Sequence, residues 1–152
     1  MNLAQSNISL TAQLRPYLSN IRAQDWGGYL GMSIIGYLQG ISTLQQATAG
    51  YIDLGRYLVT VILYLAFSFS INNCFDHEGD GLGEKVSRNP ISAGEISIRK
   101  GVVFSIILAS VGLTLSSLWF GVFSLSIYGL MLFLSSTYSV PPVGSSPFPS
   151  ST

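Results

Sequence analysis

The sequence predicts an all-α fold, a multi-pass transmembrane bundle of about four helices. Of its 152 residues, 48% are hydrophobic and only 9% are charged, and the formal net charge is zero. Soluble domains carry about a quarter charged residues, so this composition indicates a membrane protein. The zero net charge offers no basic face to a nucleic acid. A single cysteine, Cys74, excludes an internal disulfide.

The helices are predicted from the long runs without charge, since a helix needs about 20 residues to cross the hydrocarbon core. Two such runs accommodate one helix each. A third run, from Gly101 to Val140, is too long for a single crossing. We therefore divide it into two helices with a tight turn near residues 119–121. In chain order, the expected helices are residues 26–45, 57–75, 101–117 and 121–139.

The remaining segments are expected at the membrane surfaces. Residues 1–25 form a polar N-terminal segment, and residues 76–100 form a charged loop. Asp53 belongs to a short outer loop between the first two helices. Residues 141–152 are rich in proline and serine and are expected to be disordered.

The distribution of basic residues predicts the orientation of the bundle. Cytoplasmic loops carry an excess of Lys and Arg. Only Arg56 lies on the outer side, whereas six basic residues share the other side: Arg15, Arg22, Lys85, Arg88, Arg99 and Lys100. This asymmetry predicts a protein of the cell membrane with both termini and the loop 76–100 on the cytoplasmic side.

The chain is organised around an acidic stretch that begins at the end of the second expected helix. Asn72, Asp76 and Asp80 follow one another at intervals of four residues. If the helix continues, all three side chains project from one face within an arc of about 80°. Carboxylate and amide oxygens suit Mg²⁺, which commonly bridges carboxylates to substrate phosphates. Lys85 and Arg88 follow and could contact phosphate oxygens directly.

These residues resemble the first aspartate-rich motif of the UbiA family of membrane prenyltransferases. The row Asn72, Asp76 and Asp80 is followed by a basic residue and by Arg88-Asn89-Pro90-Ile91-Ser92-Ala93-Gly94. A second match, Tyr138-Ser139-Val140-Pro141-Pro142, stands at the end of the fourth expected helix. The first motif together with the second makes the resemblance fairly specific.

The resemblance implies transfer of a prenyl group from its diphosphate to an aromatic, quinone-precursor or lipid acceptor. It makes Asp76 and Asp80 the catalytic carboxylates and assigns Mg²⁺ to Asn72, Asp76 and Asp80. Lys85, Arg88 and Asn72 are then the residues that bind the diphosphate. The membrane helices would hold the prenyl tail and exclude water.

The chain departs from the family in one respect. Full-length members continue for several helices and carry a second aspartate-rich motif that faces the first across a cavity. Here, no residue after Lys100 is charged. We therefore expect a truncated or frameshifted N-terminal half of such an enzyme, or a half-chain whose second half is a separate polypeptide.

Three alternatives remain beside the prenyltransferase hypothesis. The charged loop could be merely solvated, as polar loops between membrane helices often are. The chain could then be a non-catalytic four-helix membrane protein or an assembly partner. It could also be a cation-binding or transport subunit, although the absence of charge in the third and fourth helices argues against a transport path.

Overall fold

The described part of the chain is folded mainly into α-helices. The structure is a computed structural model, and it describes residues 10–43, 51–76 and 89–139. The helices are α1 (Leu10–Asn20), α2 (Gly27–Thr43), α3 (Tyr51–Asp76) and α4 (Ile98–Ser139), and a 3-10 turn at Ala23–Asp25 connects α1 to α2. Within these ranges no residue is in a strand, so the all-α prediction is confirmed.

Helix α3 is the centre of the bundle. It contacts α1, α2 and α4, and its contact with α4 is the most extensive. Its side chains contribute to three buried clusters. The first includes Trp26, the second includes Tyr128 and Leu132 of α4, and the third includes Cys74. Phe67 and Ile71 face α4 in the second cluster. The charged end of α3 is therefore carried by the most enclosed helix of the molecule.

Helix α4 is interrupted at Gly121, which has φ 80° and ψ −173°. This backbone conformation is essentially confined to glycine. The two segments, 98–120 and 122–139, fold back against each other, because Gly112 lies against the ring of Tyr128 and Gly129 lies near Leu113. The uncharged run thus forms a helical hairpin whose turn lies within residues 119–121.

Two helices are long and apolar enough to cross a membrane, Ile52–Asp76 and Ile98–Ser139. The outer surface of α4 is apolar along both segments, and its large exposed side chains include Ile106, Leu118, Val122, Phe123 and Phe133. Apolar surface of this extent marks a face that contacts lipid or other protein. The composition and the surface therefore agree on a membrane environment.

The helix boundaries differ from the expected ones in three places. Helix α3 begins at Tyr51 instead of residue 57, so Asp53 lies in its first turn and not in a loop. An acidic side chain is favoured there by the helix dipole, and Arg56 pairs with it at 3.2 Å. Residues 10–20 of the polar N-terminal segment form α1. Helix α4 begins at Ile98, and residues 77–88 and 140–152 lie outside the described residues.

The contact inside the α4 hairpin leads to a stability prediction. A Cβ atom at Gly112 would lie 2.6 Å from Cζ of Tyr128. That ring cannot easily retreat, because its hydroxyl donates to the carbonyl oxygen of Thr60 at 3.3 Å and its other side packs against Tyr64. We expect Gly112→Ala to lower the free energy of unfolding by about 1–3 kcal/mol.

Thermal unfolding in detergent measures this effect, and Gly129→Ala is the matched control. A Cβ atom at Gly129 meets only Cδ2 of Leu113 at 3.9 Å, an ordinary contact. Since alanine also favours a helix by up to about 1 kcal/mol over glycine, this variant should be as stable as the parent or more so. Equal melting temperatures for the two variants would contradict the proposed packing.

Candidate functional site

The end of α3 brings together two of the three residues of the expected row. The Asn72 amide donates a hydrogen bond to Oδ2 of Asp76 at 2.6 Å. Asp76 is exposed and Asn72 is half-buried. Asp80, Lys85 and Arg88 lie outside the described residues. The spacing of four residues therefore brings the side chains of Asn72 and Asp76 together, as predicted for the described part of the row.

The neighbouring amide, Asn73, points into the protein. Asn73 is 1% exposed, and its Nδ2 donates to both the backbone oxygen and the side-chain Oδ1 of Asn20 at 3.0 Å. Asn20 in turn donates to Oγ of Ser70 at 2.6 Å, and Ser105 donates to the same Oγ at 2.8 Å. This buried polar cluster joins α1, α3 and α4 behind the acidic end of α3.

The turn that begins at Asn89 is tied to the same place. Asn89 is 2% exposed, and its Nδ2 donates to the backbone oxygen of Asn73 at 3.0 Å. Its Oδ1 accepts the backbone N–H of Ile91 at 3.0 Å, which fixes the turn itself. The chain leaves α3 after Asp76 and returns beside Asn73. Asn89 thereby attaches the beginning of this turn to the end of α3.

A further cation lies near this end, on the connection between α1 and α2. The Arg22 guanidinium lies over the Phe69 ring, 5.5 Å from its centroid. Arg22 also pairs with Asp25 at 2.8 Å. Trp26 fixes the connection, because its indole N–H donates to the backbone oxygen of Ile21 at 2.9 Å. Sequence spacing does not reveal this placement, since Arg22 and Phe69 belong to separate elements.

A cavity of about 1010 Å³ extends along α3 from the acidic end. Helices α2, α3 and α4 all contribute to its wall. Asn72 lies at one end, and Tyr57 lies near the other, about 22 Å away along the helix at 1.5 Å per residue. Its polar lining consists mainly of tyrosine, serine and threonine hydroxyls, from Tyr29, Ser33, Tyr37, Tyr57, Thr60, Tyr64, Ser68, Ser116, Ser124, Tyr128, Ser135, Tyr138 and Ser139.

Two contacts between helices hold the cavity wall together, one towards each end of the cavity. Tyr37 of α2 stacks on Tyr57 of α3, with ring centroids 5.1 Å apart and an interplanar angle of 26°. Ser68 and Ser135 share a hydrogen bond of 2.6 Å between α3 and α4. An elongated apolar molecule would thus meet aromatic faces along its length. Aromatic faces also stabilise positive charge through the ring quadrupole.

The donor atoms at the acidic end suit a hard divalent cation. Asn72 supplies an amide oxygen and Asp76 a carboxylate, the ligand types that Mg²⁺ takes. No group of three or more His, Cys, Asp and Glu side chains with the spacing of a metal site occurs among residues 10–43, 51–76 and 89–139. The donor types of Asn72 and Asp76 therefore fit part of a Mg²⁺ site.

The fold and the site together define a helical membrane protein with an acidic helix end at the mouth of an apolar, aromatic cavity. The UbiA prenyltransferase family matches residues 34–150, more than half of the chain, and the chain belongs to this family. The resemblance drawn from the two motifs is confirmed.

One curated relative is a plant enzyme. The chain is 33% identical over 85 residues to a probable homogentisate phytyltransferase 2, chloroplastic, from Oryza sativa subsp. japonica. This match covers 56% of the chain and 22% of that protein, so the chain spans about a fifth of the length of its relative. No solved structure gives a significant match to the chain.

The two adjacent amides lead to opposite predictions. Asn73→Ala removes two hydrogen bonds to Asn20 in a buried place, and leaving a buried polar group unsatisfied costs about 1–3 kcal/mol. Asn72→Ala removes one bond to an exposed carboxylate and should change stability by less than about 0.5 kcal/mol.

Equilibrium unfolding of both variants in the same detergent distinguishes these effects. The two substitutions remove the same atoms one residue apart, so each is the control for the other. If Asn72→Ala destabilised the protein as much as Asn73→Ala, the distinction between a buried structural amide and a half-buried amide at the end of α3 would be wrong.

Proposed function

We propose that the chain takes part in the transfer of a prenyl group from a prenyl diphosphate to an aromatic, quinone-precursor or lipid acceptor within the membrane. The observation that carries this proposal is the position of Asn72 and Asp76 at the mouth of a cavity suited to a long apolar chain. Membership of the UbiA family supports prenyl transfer in general. The rice relative, a probable homogentisate phytyltransferase, adds support for an aromatic acceptor.

The diphosphate end of the substrate is proposed to lie at the acidic end of α3. Asp76, Asp80 and Asn72 would hold Mg²⁺, and Lys85 and Arg88 would bind diphosphate oxygens. When bound, Mg²⁺ neutralises the diphosphate and makes it a better leaving group. The contact between Asn89 and Asn73 supports a role for Arg88, because Asn89 is the next residue in the sequence and is bonded to the end of α3.

The apolar part of the substrate is proposed to lie in the cavity. The bond between the allylic carbon and the diphosphate oxygen breaks, and its electron pair leaves with the diphosphate. An aromatic carbon or a hydroxyl oxygen of the acceptor then supplies the electron pair of the new bond, and the same atom loses a proton. The apolar wall excludes water that would otherwise capture the allylic cation, and the tyrosine rings stabilise that cation.

The chain is proposed to lie in the cell membrane, with the acidic end of the bundle on the cytoplasmic side. Arg99 and Lys100 are exposed at the beginning of α4, next to the end of α3. Arg56, at the other end of α3, pairs with Asp53. The excess of positive charge at the acidic end supports this orientation through the positive-inside rule.

The proposal predicts binding of a prenyl diphosphate that requires Mg²⁺ and Asp76. With geranylgeranyl diphosphate and the purified chain in detergent, we expect saturable binding in Mg²⁺ that a chelator abolishes. Asp76→Asn keeps the shape of the side chain and removes its charge, so it should weaken binding at least about tenfold, or about 1.4 kcal/mol. Equilibrium binding of labelled ligand measures this.

Asp53→Asn is the matched control for the loss of charge. Asp53 lies at the opposite end of α3, where its partner is Arg56. Binding to this variant should equal that of the parent. An equal loss in both aspartate variants, or binding that survives the chelator, would contradict a metal-dependent diphosphate site at Asp76.

The stacked tyrosines at the far end of the cavity lead to a prediction on chain length. Tyr57→Ala removes a ring that stacks on Tyr37 and opens the cavity at that end. We expect the preferred ligand in a series of geranyl, farnesyl, geranylgeranyl and longer diphosphates to shift towards longer chains. Tyr57→Phe keeps the ring and should leave the preference unchanged. A shift in Tyr57→Phe would assign the selection to the hydroxyl instead.

A further inference from the structure

We propose that a second site, in a groove between α1 and the first turns of α4, binds an anionic phospholipid. The groove has a volume of about 310 Å³ and is lined by Tyr17, Val103, Phe104 and Ile107, with Arg99 and Lys100 at one end. None of these residues lines the larger cavity. The site is therefore separate from the proposed prenyl diphosphate site.

The apolar wall of the groove is formed by residues of two helices. The Tyr17 ring meets the Phe104 ring edge-on, with centroids 5.3 Å apart and an interplanar angle of 62°. Val103 and Ile107 are four residues apart on one face of α4 and are 56% and 54% exposed. The wall thus remains open to the surroundings, and in a membrane protein an exposed apolar wall contacts acyl chains.

The cations at the end of the groove determine the charge of its ligand. Arg99 and Lys100 are exposed, and neither forms an ion pair with any residue in the described part of the chain. Glu95, the nearest described acidic residue along the sequence, is exposed and is likewise unpaired there. Arginine binds phosphate oxygens as a bidentate fork and lysine as a point charge. The pair favours an anionic phosphate group.

The position of the groove selects a lipid over a soluble anion. Gly101 lies against Cys74, so Arg99 and Lys100 are at the level of the end of α3. From Arg99 to Ile107 the groove follows α4 for about 12 Å towards the middle of the bundle. A ligand that fills it has a phosphate at the membrane surface and an apolar chain beside α4. An anionic phospholipid has this form, and basic pockets at helix ends bind such head groups.

Helix α1 provides the other side of the same surface. Leu14 and Leu18 are 48% and 64% exposed, although they lie on a helix that also carries the exposed Arg15. A helix with exposed leucines and a basic side chain is suited to the boundary between head groups and acyl chains. A lipid in the groove would contact Tyr17 and α4 together and would hold α1 against the bundle.

The test is a binding titration of the full chain in a neutral detergent with phosphatidylglycerol and with phosphatidylcholine of the same acyl chains. We expect phosphatidylglycerol to bind and to raise the melting temperature, and phosphatidylcholine to do neither. R99Q/K100Q should weaken phosphatidylglycerol binding by about thirtyfold, since each basic residue near a membrane surface contributes about fivefold. R56Q, at the opposite end of α3, should leave binding unchanged.

Further arms identify the source of the phosphate. V103S/I107S keeps both cations and should also weaken phosphatidylglycerol binding, whereas inorganic phosphate should not displace the lipid. D76N should bind phosphatidylglycerol as the parent does, which separates this site from the proposed prenyl diphosphate site. Equal binding of the two lipids, an equal loss in R56Q, or displacement by inorganic phosphate or by a prenyl diphosphate in chelator would overturn the proposal.

Discussion

The structure depends on the buried hydrogen bonds between Asn73 and Asn20. An amide in an apolar interior is costly unless its donors and acceptors are satisfied, so these two residues hold their helices in one relative position. Ser70 and Ser105 extend the cluster to α4, and Asn89 extends it to the turn after the loop. Four separate pieces of the chain therefore meet behind the acidic end of α3.

This arrangement assigns different tasks to consecutive residues of one helix. Successive side chains on a helix are about 100° apart, so Asn73 faces the bundle while Asn72 faces the cavity. The buried amide of Asn73 holds α3 in place, and the proposed ligand atoms of Asn72 and Asp76 lie on the cavity side. Sites with ligands at fixed distances need such support from rigid elements, because a displacement of about 1 Å weakens binding and catalysis strongly.

The parts of the fold that depend on local pattern could be predicted from the sequence. Long uncharged runs predicted the apolar helices, and a spacing of four residues predicted that Asn72 and Asp76 would lie together. The contact of Asn20 with Ser70 and Asn73 could not be predicted, because about 50 residues separate the partners and neither belongs to a periodic pattern. Asp53 lies in the first turn of α3 and not in the expected loop, because a helix N-terminus favours an acidic side chain.

The turn at Gly121 also sets the depth of the cavity. Phe120 and Ser124, on either side of the turn, line the cavity, and Tyr128 connects the second segment of α4 to α3 through the Thr60 carbonyl. The second segment is therefore held in one register against α3. A slip by one helical turn would move this end of the wall by about 5.4 Å. The length of the cavity therefore depends first on how the second segment of α4 is aligned with α3. The side chains at the far end of the cavity change this length only slightly.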